Sequence, residues 1–202
     1  MQIKTSGYSM AAIIIGISGI SGAGKTTLTR ELSKSLKTTA LFWDDFDEIS
    51  ASPSDYVAWY ASGQGREVWD YPALAHVLET LKSGQSIKHP VFHHLLKPTK
   101  YVIFDAPMGR LHQQTGIYID FWVHIDIPLD VALVRRTIRD FEREPRSVLE
   151  LLEGFRYYLN YSRDLFRADQ EKKGADWIID GMLSIEEQIE VIKTLLIRCR
   201  GI

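Results

Sequence analysis

Ala11-Ala12-Ile13-Ile14-Ile15-Gly16-Ile17-Ser18-Gly19-Ile20-Ser21-Gly22-Ala23-Gly24-Lys25-Thr26-Thr27 decides the fold. Ala11–Ile17 is rich in β-branched residues and reads as a buried strand. A helical pattern follows over Lys25–Leu36. Between them, Gly19 to Thr26 matches G-x-x-x-x-G-K-[ST] at every fixed position. A strand delivers the chain to a turn whose missing side chains let backbone N–H groups wrap an anion. The helix then points its positive dipole end at that anion. Lys25 supplies a point charge to β- and γ-phosphates, and the Thr26 hydroxyl faces a magnesium ion. Gly19, Ser21, Gly22, Ala23, Gly24, Lys25, Thr26 and Thr27 are therefore expected to hold a nucleoside triphosphate.

Outward from this loop, apolar runs alternate with helical patterns. The runs are Thr39–Trp43, Tyr101–Phe104, Phe121–Ile127 and Ala175–Ile179. The helices are Pro53–Tyr60, Pro72–Lys82, Leu129–Glu144, Ser147–Tyr161 and Ser184–Arg200. Ser147 with Glu150, and Ser184 with Glu187, form capping-box patterns. This alternation predicts an α/β fold, a parallel sheet covered on both faces. In Leu129–Glu144, Val131, Val134, Ile138 and Phe141 fall on one side. The last helix carries Ile185, Ile189, Ile192, Leu196 and Cys199 on one stripe, which predicts a buried, inert thiol.

Composition narrows the class. A chain of 202 residues, 45% apolar and 25% charged, suits one soluble domain rather than a disordered or fibrous chain. Lys and Arg number 24 against 26 acids, so the net charge of −2 argues against a nucleic-acid or membrane partner. One cysteine excludes an internal disulfide and fits a reducing, cytoplasmic setting. The apolar stretch Met10–Ile15 is far short of the ~20 residues of a membrane span. Met1–Ser9 reads as a polar leader, with Met10 an alternative start. A homo-oligomer stays open.

Ligands of open parallel sheets sit beyond the carboxyl ends of the strands. Asp44 and Asp45 follow the second apolar run and should land near the loop, to take a hydroxyl proton or hold magnesium; loop or capping aspartates are the alternative. Asp105 ends Tyr101–Phe104 in the Walker B manner. Arg135, Arg139 and Arg143 share one helix flank with Arg136 close by, either a lid over the triphosphate or a solvated face. Asp70 is either an N-cap or a ligand for substrate hydroxyls. His89, His93 and His94 cluster around Pro90 with no framework for a zinc site.

Taken in order, Gly19–Thr27, Asp44-Asp45-Phe46, Trp69-Asp70-Tyr71-Pro72, Val102-Ile103-Phe104-Asp105, Arg135-Arg136-Thr137-Ile138-Arg139-Asp140 and Ala175-Asp176-Trp177-Ile178-Ile179 resemble the uridine kinase/phosphoribulokinase family of P-loop kinases. The resemblance spans roughly residues 11–180. It implies a P-loop NTPase three-layer sandwich with a five-stranded parallel sheet and a helical lid. It implies transfer from ATP, with Mg²⁺, to a hydroxyl of a small metabolite, often a nucleoside. By match to the family's segments, Asp44 is the general base, Asp70 binds ribose hydroxyls, and Arg135, Arg136 and Arg139 act in the lid. Three stretches depart from the family: Asp105-Ala106 stands where Glu-Gly is usual, Val91-Phe92-His93 replaces the base-reading segment, and Ala106–Arg110 has no counterpart. Pyrimidine recognition is therefore not carried over.

The expectation is a single kinase domain over 1–202, with an acceptor-binding insertion at about 46–98 and a lid at about 129–146. Catalysis falls to Lys25, Asp44, Arg135 and Arg139. Arg136 joins the loop in binding ATP. Thr26, Asp44 and Asp105 hold Mg²⁺. Asp45, Asp70, Phe92 and His93 contact the small-molecule acceptor. The competing class is a regulatory or switch NTPase. The guanine-reading [NT]-K-x-D segment is absent, since Thr99-Lys100-Tyr101-Val102 lacks the acid, and so is the L-S-G-G-Q segment of ABC ATPases.

Overall fold

A computed structural model describes residues 11–63 and 65–199, so the expected leader and alternative start lie outside the described residues. The elements that carry the fold are β1 (Ile13–Gly19), α1 (Lys25–Leu36), β2 (Thr39–Phe42), α2 (Tyr56–Ser62) and α3 (Pro72–Lys82). A short hairpin follows, β3 (Ile87–Lys88) and β4 (Leu95–Leu96), then β5 (Tyr101–Asp105), α4 (Gln113–Gly116) and β6 (Phe121–Asp126). The chain ends through α5 (Leu129–Arg143), α6 (Val148–Tyr157), α7 (Asp169–Gly174), β7 (Trp177–Asp180) and α8 (Ile185–Arg198).

Five strands form one parallel sheet in the order β2-β5-β1-β6-β7. The runs are largely apolar because alternate residues feed two cores. Ile14, Val102, Phe104 and Trp122 pack under α3 with Leu74, Val77, Leu78 and Leu81. Ile15, Ile17, Ile103, Val123 and Ile125 pack under α1 and α8 with Leu28, Leu32, Ile192 and Leu196. The register Ile17↔Asp105 between β1 and β5 sets the strand ends side by side, so the loops after them face one another.

Several expectations shift. Cys199 is exposed, not buried: α8 ends at Arg198, and the stripe's last buried residue is Leu196. In α5 only Ala132 is buried, and Val134 and Ile138 are about half exposed, at 55% and 54%. That helix packs beside the phosphate loop, so only its first turns, through Val131 and Ala132, reach the core. Helix α2 starts at Tyr56, not Pro53, because the Asp55 carboxylate caps Val57 N and Ala58 N. Pro72 sits in the first turn of α3 behind Tyr71, and Asp70 does not cap that helix. The β3–β4 hairpin was too short to show a period. No helix of the described residues is long and apolar enough to cross a membrane.

Beneath the phosphate loop runs a buried polar chain. Trp122 Nε1 donates to Ser18 Oγ at 2.6 Å, and Ser18 Oγ lies 2.9 Å from His124 Nδ1. Indole N–H can only donate, so Ser18 Oγ accepts from Trp122, while its own proton can go to His124 Nδ1 or to Val123 O at 3.5 Å. Burial pushes the His124 pKa down to about 4, with Asp126 partly opposing. The unfolded chain then binds more protons than the native one between pH 6.5 and 4, and stability falls across that window on acidification. The full loss from this group is about 3 kcal/mol. His89 and His112, also lowered by burial, add in the same direction. His124→Gln is expected to shrink the drop in Tm between pH 6.5 and 4, measured by thermal melts across that range; an unchanged slope would refute the assignment.

Candidate active site

The parallel sheet brings β1, β2 and β5 to a common edge, and a cavity of about 700 Å³ opens there. Its floor is the phosphate loop. Gly22 and Gly24 have φ of 91° and 98°, values that side chains rarely adopt. Gly24 is the N-cap of α1 and offers no side chain, so the first amides of the helix stay available to an anion. No atom lies within 4 Å of where its Cβ would be. Gly22, in contrast, is pressed against α5: an added Cβ would lie 2.2 Å from the Ala132 carbonyl oxygen. Lys25 Nζ donates to Ile20 O at 3.3 Å, which holds the ammonium over the loop. Burial lowers the Lys25 pKa, while Asp105 and Asp44 pull it back up.

Thr26 Oγ1 donates to Asp105 Oδ2 at 2.7 Å. The other carboxylate oxygen, Oδ1, is buried without a hydrogen-bond partner among the described residues. Burial raises the Asp105 pKa, opposed first by Lys25 and then by the Thr26 bond. A buried carboxylate with an orphaned oxygen beside a hydroxyl is a set of hard oxygen donors, and it fits Mg²⁺. Asp44 comes from the 3-10 turn Trp43–Ile49 and lines the same cavity. Asp47, one turn later, lines it too and accepts from Tyr71 Oη at 2.7 Å.

From the opposite side α5 presents Arg135, Arg139 and Arg143 to the cavity. Their i, i+4, i+8 spacing puts them on one flank, and the backbone of α5 is fixed to the loop at Gly22. Arg135 Nη1 also donates to Gly181 O at 3.1 Å. The structure thus brings together Gly19, Ser21, Gly22, Gly24, Lys25, Thr26, Thr27, Asp44, Arg135 and Arg139, with Ala23 packed beneath and Asp105 behind Thr26.

Five expected residues lie elsewhere. Arg136 does not line the cavity but sits over Phe166 and Tyr158. Asp45 turns toward the β3–β4 hairpin, 3.9 Å from His89 Nε2. Asp70 accepts from Gln114 Nε2 at 2.8 Å and lines a neighbouring cleft. Phe92 and His93 are exposed at the tip of the hairpin, where His93 has φ of 59°. Asp47, Tyr71 and Arg30 line the cavity without having been expected; only Asp47 had a signal, its spacing of three from Asp44 in one acidic turn.

A second cavity, of about 630 Å³, continues from the first across Tyr56, Trp69, Pro107 and Met108. Trp59 and Trp69 meet edge to face at 4.3 Å along its wall. Its two cations are already paired: Arg66 with Glu171 at 2.9 Å, and Arg167 with Asp169 at 3.4 Å.

Against known proteins, residues 14–179 match the model of the Phosphoribulokinase / Uridine kinase family. The uridine kinase of Borreliella burgdorferi (strain ZS7) is 28% identical over 197 residues, covering 92% of this chain and 94% of that one. The uridine kinase of Staphylococcus aureus (strain JH9) is 26% identical over 206 residues, covering 91% and 95%. Among solved structures, a shikimate kinase from Bacteroides thetaiotaomicron superposes with a TM-score of 0.52 at 17% identity, covering 91% of this chain and 98% of that one. A shikimate kinase from Acinetobacter baumannii gives 0.50 at 18% identity, covering 95% and 96%. These two likenesses are of fold.

The buried Asp105 carboxylate carries a stability cost with a definite sign. Its raised pKa means that ionisation at neutral pH favours the unfolded chain, and that the cost vanishes below the ordinary value of 3.8. Without Mg²⁺ or nucleotide, Asp105→Asn is expected to raise Tm at pH 7 by about 2–4 °C, a gain of ~1 kcal/mol. The gain should close below pH 4. A lower Tm at pH 7 would contradict this account.

Proposed function

The chain belongs to the Phosphoribulokinase / Uridine kinase family and is an ATP-dependent small-molecule kinase; from that premise we propose that its acceptor is a small, uncharged, ring-bearing compound with a free hydroxyl. The observation that carries the reading is the continuity of the two cavities. Lys25, Asp44 and the α5 arginines converge in one, and an aromatic wall whose two arginines, among the described residues, each lie against a carboxylate forms the other. Tyr56, Trp59 and Trp69 offer flat apolar faces to a ring. A sugar phosphate in that chamber would have to compete with Glu171 for Arg66 and with Asp169 for Arg167, whereas a neutral ring meets no such competition.

In this reading the amides of the loop and Lys25 hold the triphosphate. Asp44 takes the proton of the acceptor hydroxyl as it attacks in line. Arg135, Arg139 and Arg143 neutralise charge on the transferring group. Thr26, Asp105 and Asp44 would hold Mg²⁺, which supplies charge neutralisation on the β- and γ-phosphates when bound. The segment at about 46–98 serves as the acceptor side, and that at about 129–146 as the lid that keeps water out. Asp70, held by Gln114 beside Trp69, would meet acceptor hydroxyls only by turning from its neighbouring cleft. The proposed setting is the cytoplasm.

A coupled-ADP assay over nucleosides, other neutral hydroxyl compounds and sugar phosphates tests the reading. ADP release should depend on a neutral ring-bearing acceptor. Slow release that ignores every acceptor would favour a switch-type NTPase, and a response to sugar phosphates alone would overturn the acceptor class. Lys25→Ala is expected to lower kcat by about 10³-fold and, by taking the opposing charge from buried Asp105, to lower Tm at pH 7 as well; Arg139→Ala is expected to lower kcat by about 10²-fold with a native melting curve.

A further inference from the structure

Arg136 sits in the arginine-rich stretch of α5, yet it faces away from its neighbours' cavity. Its guanidinium carbon lies 4.3 Å from the centroid of the Phe166 ring and 5.7 Å from that of Tyr158. The two rings are themselves 5.7 Å apart. With Ala132, Leu133, Ile20 and Ser21, these residues form the seam between α5, the phosphate loop and the connector to α7.

What the seam joins gives it a use. None of the residues of α6 is buried, and Val148 and Leu149 are 72% and 62% exposed. The next buried residue is Tyr158, which opens a π turn, Tyr158–Ser162, followed by a 3-10 turn, Arg163–Phe166. Wide and tight turns in succession mark a place where a helix can change direction. Phe166 also forms part of the chamber wall next to the phosphate loop. A single cationic plane against two rings therefore links α5, the root of α6 and the chamber.

We propose that Arg136 is a positioning residue, a cation–π clamp on Phe166 and Tyr158 that makes α5 and the chamber wall move as one body, and that it is not a nucleotide ligand. When α5 settles on the triphosphate through Arg135 and Arg139, the clamp carries the Phe166 wall with it. Losing the clamp frees α6 and the connector while leaving the phosphate loop as it was.

The test compares Arg136→Ala, Phe166→Leu and the double variant, with Mg²⁺·ATP as the binding probe and trypsin as the structural one. Trypsin has exposed sites after Arg146, Arg156 and Arg163. Each single variant is expected to bind ATP within about twofold of the parent and to be cut at these sites about tenfold faster. Acceptor-dependent turnover should fall about tenfold, and the double variant should be no worse than either single one. The turnover arm rests on the kinase reading, whereas ATP affinity and proteolysis do not, so the two can fail separately. Weakening of ATP binding by about tenfold in Arg136→Ala but not in Phe166→Leu would make Arg136 a nucleotide ligand and overturn the proposal. Additive effects, or unchanged cleavage, would also overturn it. Should Arg136→Ala fail to fold, Phe166→Leu alone carries the proteolysis and affinity expectations.

Discussion

A carboxylate is buried at the end of the strand next to the centre of the sheet, and much of the site is arranged around its cost. Asp105 closes β5 beside Ile17 of β1, where water cannot reach it freely. One oxygen is satisfied by Thr26, and the Lys25 ammonium provides the opposing charge. Both partners belong to the first turn of α1, so the helix cannot shift along the sheet without stranding the charge. The other oxygen, Oδ1, has no hydrogen-bond partner among the described residues, and a hard oxygen donor of this kind suits a divalent cation.

The same logic explains the near-neutral total charge. A triphosphate needs several positive charges, but only locally. Lys25 and one flank of α5 supply them at the cavity, while Asp140 binds Arg139 outside it and Asp44 and Asp47 stand opposite. A net charge of −2 is compatible with a strongly directed internal field.

The sheet was readable from the sequence because its central strands feed two cores and are mostly apolar, with Ser18, His124 and Asp105 the buried exceptions. The loop was readable because its glycines and Lys25-Thr26 are spaced by the geometry of a phosphate. Readability failed where tertiary placement overrides local pattern. The apolar side of α5 was legible as a stripe, but its depth was not: at the end of the sheet only Ala132 is buried and Val131 packs beside it. Phe92 and His93 looked like a recognition segment, but the loop between the two-residue strands β3 and β4 turns them to solvent. Asp45 and Asp70 sit next to residues of the cavity, yet neighbours in a 3-10 turn and an extended segment point to different sides. His89 and Gln114, which accompany them, are far away in sequence and carry no motif.

Arg136 shows most clearly why a motif does not assign roles within itself. Along α5, Arg135, Arg139 and Arg143 recur every four residues and stay on one flank, whereas Arg136 is rotated by ~100° from Arg135. That rotation is enough to move a guanidinium from a phosphate cavity to an aromatic seam. The seam exists only because the π turn after α6 returns Tyr158 and Phe166 to α5. Four arginines in nine residues thus divide between two kinds of anion-free and anion-ready surroundings: three face open solvent where a triphosphate can be neutralised, and one is half-buried where a planar cation is worth more as a stacking surface than as a charge. The division lets one helix address the nucleotide and the chamber wall at once, which is the coupling a kinase requires if it is to transfer to an alcohol and not to water.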